Sequence, residues 1–374
     1  MKLTIERSDL LNALSHVQSV VERRNTIPIL SNVLITAKDG AVTLTATDLD
    51  IEAVDSADAS VASEGAVTAP AGTFFDVVRK LPSGAQVELE LMPENQRLAV
   101  RAGDSSFYKL PTLPASDFQT MSSDDAGTSF EVGAADLRRL IDKTRFAIST
   151  EETRYYLNGV YLHAAERDGG GTVLRTVATD GHRLALAEID APPGAEALSG
   201  VIVPRKAVAE ARRLIDGLDE TVSVSVSDAK IVIKAGRAVL TSKLIDGSFP
   251  DYARVIPKAN DKKLVINNKA FEAAVDRVST VSAERSRSVK MSLESDRLVL
   301  GVNHAETGQG SEEVEAEYAA ESMEIGFNAR YLLDVAGQIE AEEAEFLFHD
   351  PASPALVLDP NDASARYVLM PLRV

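Results

Sequence analysis

The sequence has no cysteine and no tryptophan. Without thiols, disulfide scaffolds, thiol nucleophiles, zinc fingers and iron–sulfur clusters are all excluded. Aromatic residues are only 5% of the chain, few for a protein that stacks unpaired bases. No apolar run approaches the ~18 residues of a membrane span. The opening MKLTIERSDL puts acidic residues where a secretion signal carries its apolar stretch. Phosphate-cradling loops of the types G-x-x-x-x-G-K-S/T and G-x-G-x-x-G are absent. The scattered histidines His16, His163 and His349 have no metal-site spacing. Acidic side chains number 57 against 39 basic, a net charge of −18, which argues against a uniformly basic nucleic-acid coat. These absences lead to the expectation of a cytoplasmic chain that needs no metal or cofactor. Its 374 residues suggest two or three domains, each able to bury its own core.

What the chain does have is an internal repeat. LTIERSDLLNALSHV from Leu3, FEVGAADLRRLIDKT from Phe130 and LVINNKAFEAAVDRV from Leu264 align. The first and third columns are apolar in every copy, Leu3 and Ile5, Phe130 and Val132, and Leu264 and Ile266, the period of a half-buried strand. The period then changes to i, i+3, i+4, i+7, as in Leu10, Ala13, Leu14 and Val17 or Phe271, Ala274, Val275 and Val278, which predicts an amphipathic helix. A second strand–helix set recurs about 65 residues into each copy: VTAPAGTFFDVVRKL, VIVPRKAVAEARRLI and MEIGFNARYLLDVAG. Alternating strands fill the intervals, with Asp39-Gly40 at one hairpin turn. The expected fold class is therefore α+β, three tandem copies of one domain built from two helices on antiparallel sheets. The copies are placed at 1–125, 126–259 and 260–374.

Charge is unevenly distributed. A helix expected from Asp136 to Ile148 carries Arg138, Arg139, Lys143 and Arg145, and one from Arg205 to Ile215 carries Arg205, Lys206, Arg212 and Arg213. Basic residues thus collect on helices while sheets and loops are acidic. That pattern suits a weakly basic helical surface facing duplex phosphates, which position a protein without specifying sequence. The plainer reading is that charge tops up the solvent face of any amphipathic helix.

The most enzyme-like stretch is VATDGHRLALAE, where Asp180 stands near His182. A hydrolase using this pair in an inter-domain cleft is the alternative function. The matching place in the first copy reads TATDLD, with no histidine, so a structural turn or a partner-binding role is the simpler account. Tyr155 and Tyr156, beside Arg154, read either as strand aromatics or as a loop tip touching nucleic acid. The C-terminal RYVLMPLRV is unusually apolar for a tail, and serves as a closing strand, a wall for a partner peptide, or both.

IPILSNVLI, RYYLNGV, TVATDGHRLA, VIVPRK, TSKLIDGSFPDYARVIPK, MEIGFN and YVLMPLRV together resemble the bacterial DNA polymerase III β subunit family, the sliding clamps. The resemblance spans Met1 to Val374. It implies a head-to-tail homodimer forming a six-domain ring with helices lining the hole, and a non-enzymatic processivity factor that encircles duplex DNA. It also implies a partner-peptide groove built from Leu157, Thr179, Gly181, His182, Arg183, Leu184, Pro250, Arg254, Val255, Val368, Met370, Pro371, Leu372 and Arg373, with Arg183 a groove-edge charge that orients its ligand. The partners implied are the DNA polymerase III α subunit, a clamp loader, and other polymerases and repair proteins. Arg24, Tyr155, Tyr156 and Lys206 match DNA-approaching positions; Arg205 joins them from the helix charge. Glu151 departs from the neutral residue usual in that loop. Phe107 matches an apolar position of the dimer seam, where Lys109 and Thr280 depart from the family's apolar residues.

Overall fold

The computed structural model describes residues 1–22, 26–121, 127–167, 169–282, 288–305 and 307–373. Among these, six α-helices occur two per copy: α1 (Arg7–Val17) and α2 (Ala71–Lys80), α3 (Ala134–Asp142) and α4 (Arg205–Leu214), α5 (Asn268–Ser279) and α6 (Ala329–Ala336). Each follows an apolar strand directly, as the change of period predicts. The alternating residues Leu3, Ile5, Phe130, Val132, Leu264 and Ile266 are all buried, and so are the helical stripes of α1 and α5. Asn267 caps α5 by accepting a hydrogen bond from Ala270 N at 3.0 Å, and Asn328 caps α6 from Arg330 N at 2.9 Å.

One helix differs from expectation. α3 ends at Asp142 rather than running to Ile148, and a 3-10 turn Arg145–Ala147 follows. The Thr144 hydroxyl donates back to Leu140 O at 2.7 Å, a bond that competes with helix continuation. Lys143 and Arg145 therefore fall outside α3, whose charges balance, while α4 keeps its four basic residues against Glu210.

The residues form two compact units, neither of which is one copy of the repeat: Met1–Arg138, Pro192–Leu198 and Lys206–Leu244 in the first; Arg139–Ala191, Ser199–Arg205 and Ile245–Val374 in the second. The first unit holds a five-stranded sheet ordered Ser60–Ser63, Lys2–Glu6, Gln86–Met92, Arg97–Ala102, Ser106–Pro111. Its eight-stranded sheet runs Thr128–Gly133, Thr221–Val226, Lys230–Ala235, Ala238–Lys243, Ile51–Asp58, Ala41–Thr47, Asn32–Lys38, Gly65–Pro70. The second unit is organised on twelve strands, with Arg183–Asp190 beside Asp362–Leu369 as fourth and fifth and Gly308–Tyr318 joining the first eight strands to the last three.

Two strand junctions thus fuse neighbouring copies, one in each unit, and they share a register. Val239, Leu240 and Thr241 face Val54, Ala53 and Glu52. Arg366, Tyr367 and Val368 face Leu186, Ala185 and Leu184. The hairpin pairings Lys234 with Val239 and Leu358 with Arg366 make these equivalent positions of the repeat. At each junction a large buried side chain, Leu240 or Tyr367, lies opposite an alanine. Burying the Leu240 side chain contributes about 1.5–3 kcal/mol, whereas the Tyr367 hydroxyl is buried with no partner among the described residues, which offsets part of that ring's gain.

The first and third copies repeat a polar contact as well, and the second places a cation at the same position. His16, Lys143 and Arg277 occupy one position of the aligned helix segments. His16 Nδ1 lies 2.7 Å from Asp55, Lys143 donates to Glu340 at 2.7 Å, and Arg277 to Glu312 at 2.7 Å. The hairpin turn at Asp39 and Gly40 has both φ angles positive, 51° and 75°, the conformation its residues favour.

Candidate functional site

The Thr-Asp motif is a turn, and it is built twice. In the second copy Thr179 Oγ1 donates to Arg183 O at 2.6 Å and accepts from Gly181 N at 3.1 Å; Asp180 Oδ1 accepts from His182 N and Arg183 N at 2.9 and 3.0 Å. In the first copy Thr47 and Asp48 make the same four bonds, at 2.8–3.0 Å, across Leu49 to Ile51. Gly181 has φ +87°, and a Cβ there would stand 2.5 Å from Arg154 Nη1; the first copy makes the same turn with Leu49 at φ +78°. Asp180 is thus committed to backbone amides, with Arg183 Nε on its other oxygen at 3.2 Å. His182 packs near Tyr331, ring centroids 6.3 Å apart; its only bond to Asp180 among the described residues is through its backbone amide, which does not orient the imidazole as a base.

Arg183 is not the free groove-edge charge expected of it. Its side chain is 7% exposed. The guanidinium binds Asp180, Asp334 and, at 2.6 Å, Phe146 O. It also lies over the rings of Phe146 and Tyr331, 5.2 and 4.5 Å from their centroids. A desolvated guanidinium with all this satisfied holds the turn onto α6 rather than reaching outward. Phe146, Tyr331 and Asp334 were not legible from sequence; Asp334 is 151 residues from Arg183, and no local pattern links them.

The remaining groove residues sort into a buried base and an exposed rim. Leu157, Thr179, Leu184 and Val368 are buried. Leu184 and Val368 cluster with Val177 and Leu186, and Phe249, Tyr252 and Ile256 pack onto that cluster. On the same segment Pro250, Arg254 and Val255 turn outward, with Val255 41% exposed. The tail is stapled beside them: Met370 N donates to His182 O at 2.9 Å and Leu372 N to Gly326 O at 2.8 Å. Met370 is 37% exposed, Pro371 and Leu372 are half-buried, and Arg373, Gly181 and His182 are exposed. The result is a surface with exposed apolar side chains over an apolar base, edged by backbone and a few polar groups, the composition of a ligand site.

The helix cations are less available than a charge count implies. Arg138 donates to Leu218 O, Arg139 binds Asp362, Lys143 binds Glu340, Arg213 binds Glu210 and Arg212 binds Asp216. Lys206, expected to face DNA, is paired with Asp48 and with Glu22. Arg205 is exposed and has no side-chain partner among the described residues. Tyr155 is 53% exposed, with Tyr156 edge-on to it at 5.8 Å. Glu151 is paired with Arg154 at 2.7 Å, and that bonded guanidinium holds its carboxyl below the ordinary range. Arg24 lies outside the described residues.

Phe107 lies on Ser106–Pro111, the last strand of its sheet, and is 49% exposed with Tyr108 at 42%. Arg101 and Lys109 sit over its ring, 4.7 and 5.2 Å from the centroid.

Three regions match the DNA polymerase III beta subunit family: its N-terminal domain over residues 1–122, its central domain over 131–251 and its C-terminal domain over 253–373. The chain is 59% identical over 374 residues to the beta sliding clamp of Caulobacter vibrioides and 39% identical over 380 residues to that of Escherichia coli K12, covering all of both chains in each case. Its fold matches a crystal structure of the C. crescentus beta sliding clamp with a TM-score of 0.95 at 59% identity, over 100% of this chain and 99% of that one. It matches the Bartonella birtlesii clamp bound to griselimycin with a TM-score of 0.96 at 47% identity, over the whole of both. With all three domains matched in order and the full length shared, this chain belongs to the DNA polymerase III β subunit family, the bacterial sliding clamps.

Proposed function

We propose that this sliding clamp, a non-catalytic accessory factor of replication, works as a cytoplasmic head-to-tail homodimer that encircles duplex DNA. On this reading it tethers the polymerase III α subunit, the clamp loader and other polymerases and repair proteins through the groove around Leu184, Val255 and Met370. The three copies are taken as 1–125, 126–259 and 260–374. The observation that carries the ring is the pair of unused strand edges. Ser106–Pro111 is the repeat's equivalent of Ala238–Lys243 and Asp362–Leu369, through Arg101 facing Phe107 as Lys234 faces Val239. Residues 308–315 of Gly308–Tyr318 are likewise equivalent to Ile51–Asp58, through Asn303 facing Gln309 as Thr47 faces Glu52. Among the described residues, Ser106–Pro111 and residues 308–315 each present one unpaired side, which proteins rarely leave open. Carrying over the shared register sets Phe107 against Ser311, Tyr108 against Gly310 and Lys109 against Gln309 of the partner. Tyr108 then meets glycine as Leu240 and Tyr367 meet alanine. Two such seams close with two-fold symmetry.

DNA retention on this reading is topological, so phosphate contacts stay few and weak, falling steeply with salt. With a loader and ATP, the protein should remain on a closed circle and leave when the circle is linearised. Equal retention on both would overturn the reading.

A further inference from the structure

The segment 246–258, which carries Pro250, Arg254 and Val255, has little backbone attachment. Among the described residues its backbone hydrogen bonds are local, Arg254 N to Asp251 O at 3.4 Å and Val255 N to Tyr252 O at 2.9 Å, and none reaches a strand. Side chains hold it instead. Phe249 stacks face to face on Tyr161, centroids 4.9 Å apart at 2°, and Ile256 packs on the sheet cluster. The polar tether is the Tyr252 hydroxyl, 2.8 Å from His163 Nε2 and 3.0 Å from Arg175 Nη1. A guanidinium only donates, so the Tyr252 oxygen accepts from Arg175; in the tautomer that keeps the Tyr252 proton bonded, that proton points to His163 Nε2 and the buried Nδ1 carries the imidazole proton with no partner among the described residues.

We infer that His163, Tyr252 and Arg175 form a latch that positions the 246–258 segment, and with it the partner groove, and that protonating His163 releases it. The inference rests on the groove reading above. Protonation turns Nε2 from acceptor to donor, leaves the Tyr252 proton without its partner and sets an imidazolium beside Arg175. The other groups facing this point cannot compensate. Tyr161, from the same strand, stacks on His163 at 4.4 Å. Glu188, from the next strand but one, is already bound by Arg175 at 2.9 and 2.7 Å and approached by Arg167 at 3.5 Å, and Asp190 is held by Arg167 at 2.9 Å. Burial, then the Arg175 charge, pushes the His163 pKa down to about 4. The folded state therefore favours neutral His163, and the latch weakens as pH falls from 6.5 toward 4.

Tyr252→Phe keeps the ring packing and removes the tether. Hydrogen exchange of the amides in 246–258 should speed up, while light scattering reports an unchanged dimer. Calorimetric titration with griselimycin should show roughly three- to tenfold weaker binding. Wild-type affinity should fall between pH 6.5 and 4, and His163→Gln, whose amide can still accept from Tyr252, should bind normally at pH 7 and lose that dependence. Unchanged exchange in Tyr252→Phe overturns the latch. If Val255→Glu abolishes griselimycin binding but Tyr252→Phe does not weaken it, the link from latch to groove is overturned. If Val255→Glu binds normally, it is the groove reading that fails, and the exchange measurement still decides the latch. A pH profile identical in wild type and His163→Gln overturns the role of protonation.

Discussion

One strand of the repeat occurs in three settings. As Ala238–Lys243 and as Asp362–Leu369 it lies inside a sheet, and as Ser106–Pro111 it ends one. At the equivalent inward position Leu240 and Tyr367 are 4% and 0% exposed, whereas Tyr108 is 42% exposed. The hairpin pairing is shared along the strand, apart from a register shift between Leu358 and Asp359 in the third copy, so at the junction positions the copies differ in their neighbours and not in their pattern. A strand built for the middle of a sheet and found at its edge implies that the neighbour comes from another chain. The departure at Lys109 fits that contrast, since an edge strand that must also survive alone gains from charge.

The sharpest way to break the comparison is to place the same insult on a paired and an unpaired copy. Leu240→Glu buries a carboxylate at a junction inside one chain and should destabilise folding by about 3–5 kcal/mol, seen as a large drop in melting temperature. Phe107→Glu, on the unpaired copy, should leave the melting of the chain nearly unchanged. The dimer should instead dissociate by light scattering at micromolar concentration. If Phe107→Glu stays dimeric, the seam lies elsewhere.

A finer test addresses register. The chain has no cysteine, so introduced pairs report without background. Oxidising Lys109→Cys combined with Gln309→Cys should give a covalent dimer, because directly opposed residues bring their Cβ atoms to about 5 Å. Lys109→Cys with Gly310→Cys should not, since a one-residue slip sends the two side chains to opposite faces. The reverse result would shift the seam by one residue and separate it from the two internal junctions.

Much of this architecture was legible in sequence because it is local. The period-two strands, the helical stripes, the Asp-Gly hairpin and the Thr-Asp turn all depend on neighbours within a few positions, and the repeat multiplies each signal by three. What was not legible depends on tertiary pairing. The expected basic face of α3 dissolved because Thr144 ended the helix early and because Arg138, Arg139 and Lys143 found partners in other elements. The family resemblance implied a groove-edge charge at Arg183, yet Phe146, Tyr331 and Asp334 enclose it. Arg183→Ala should accordingly act on the turn, lowering the melting temperature by more than it weakens peptide binding at saturating fold. Deleting residues 370–374 should do the opposite: it removes the two backbone staples and the exposed Met370, and abolishes peptide binding while the dimer stays folded.

The smallest expected effect puts the contrast between paired and unpaired on two adjacent side chains. Arg205 begins α4 exposed and without a partner among the described residues, whereas Lys206 bridges Asp48 and Glu22. If the helix surface meets phosphates, a free cation releases a counterion when it binds, and a paired one must first give up its carboxylates. Arg205→Ala should therefore reduce the salt dependence of binding to short duplex by about one counterion per chain with no change in melting temperature. Lys206→Ala should change the salt slope less. Its removal leaves the largely buried Asp48 carboxylate, 10% exposed, without its cation. Lys206 itself is partly solvent-screened, so the stability lost should be about 1 kcal/mol or less. Equal slopes for the two variants would mean that Lys206 leaves its carboxylates on DNA and that the static pairing does not govern the encounter.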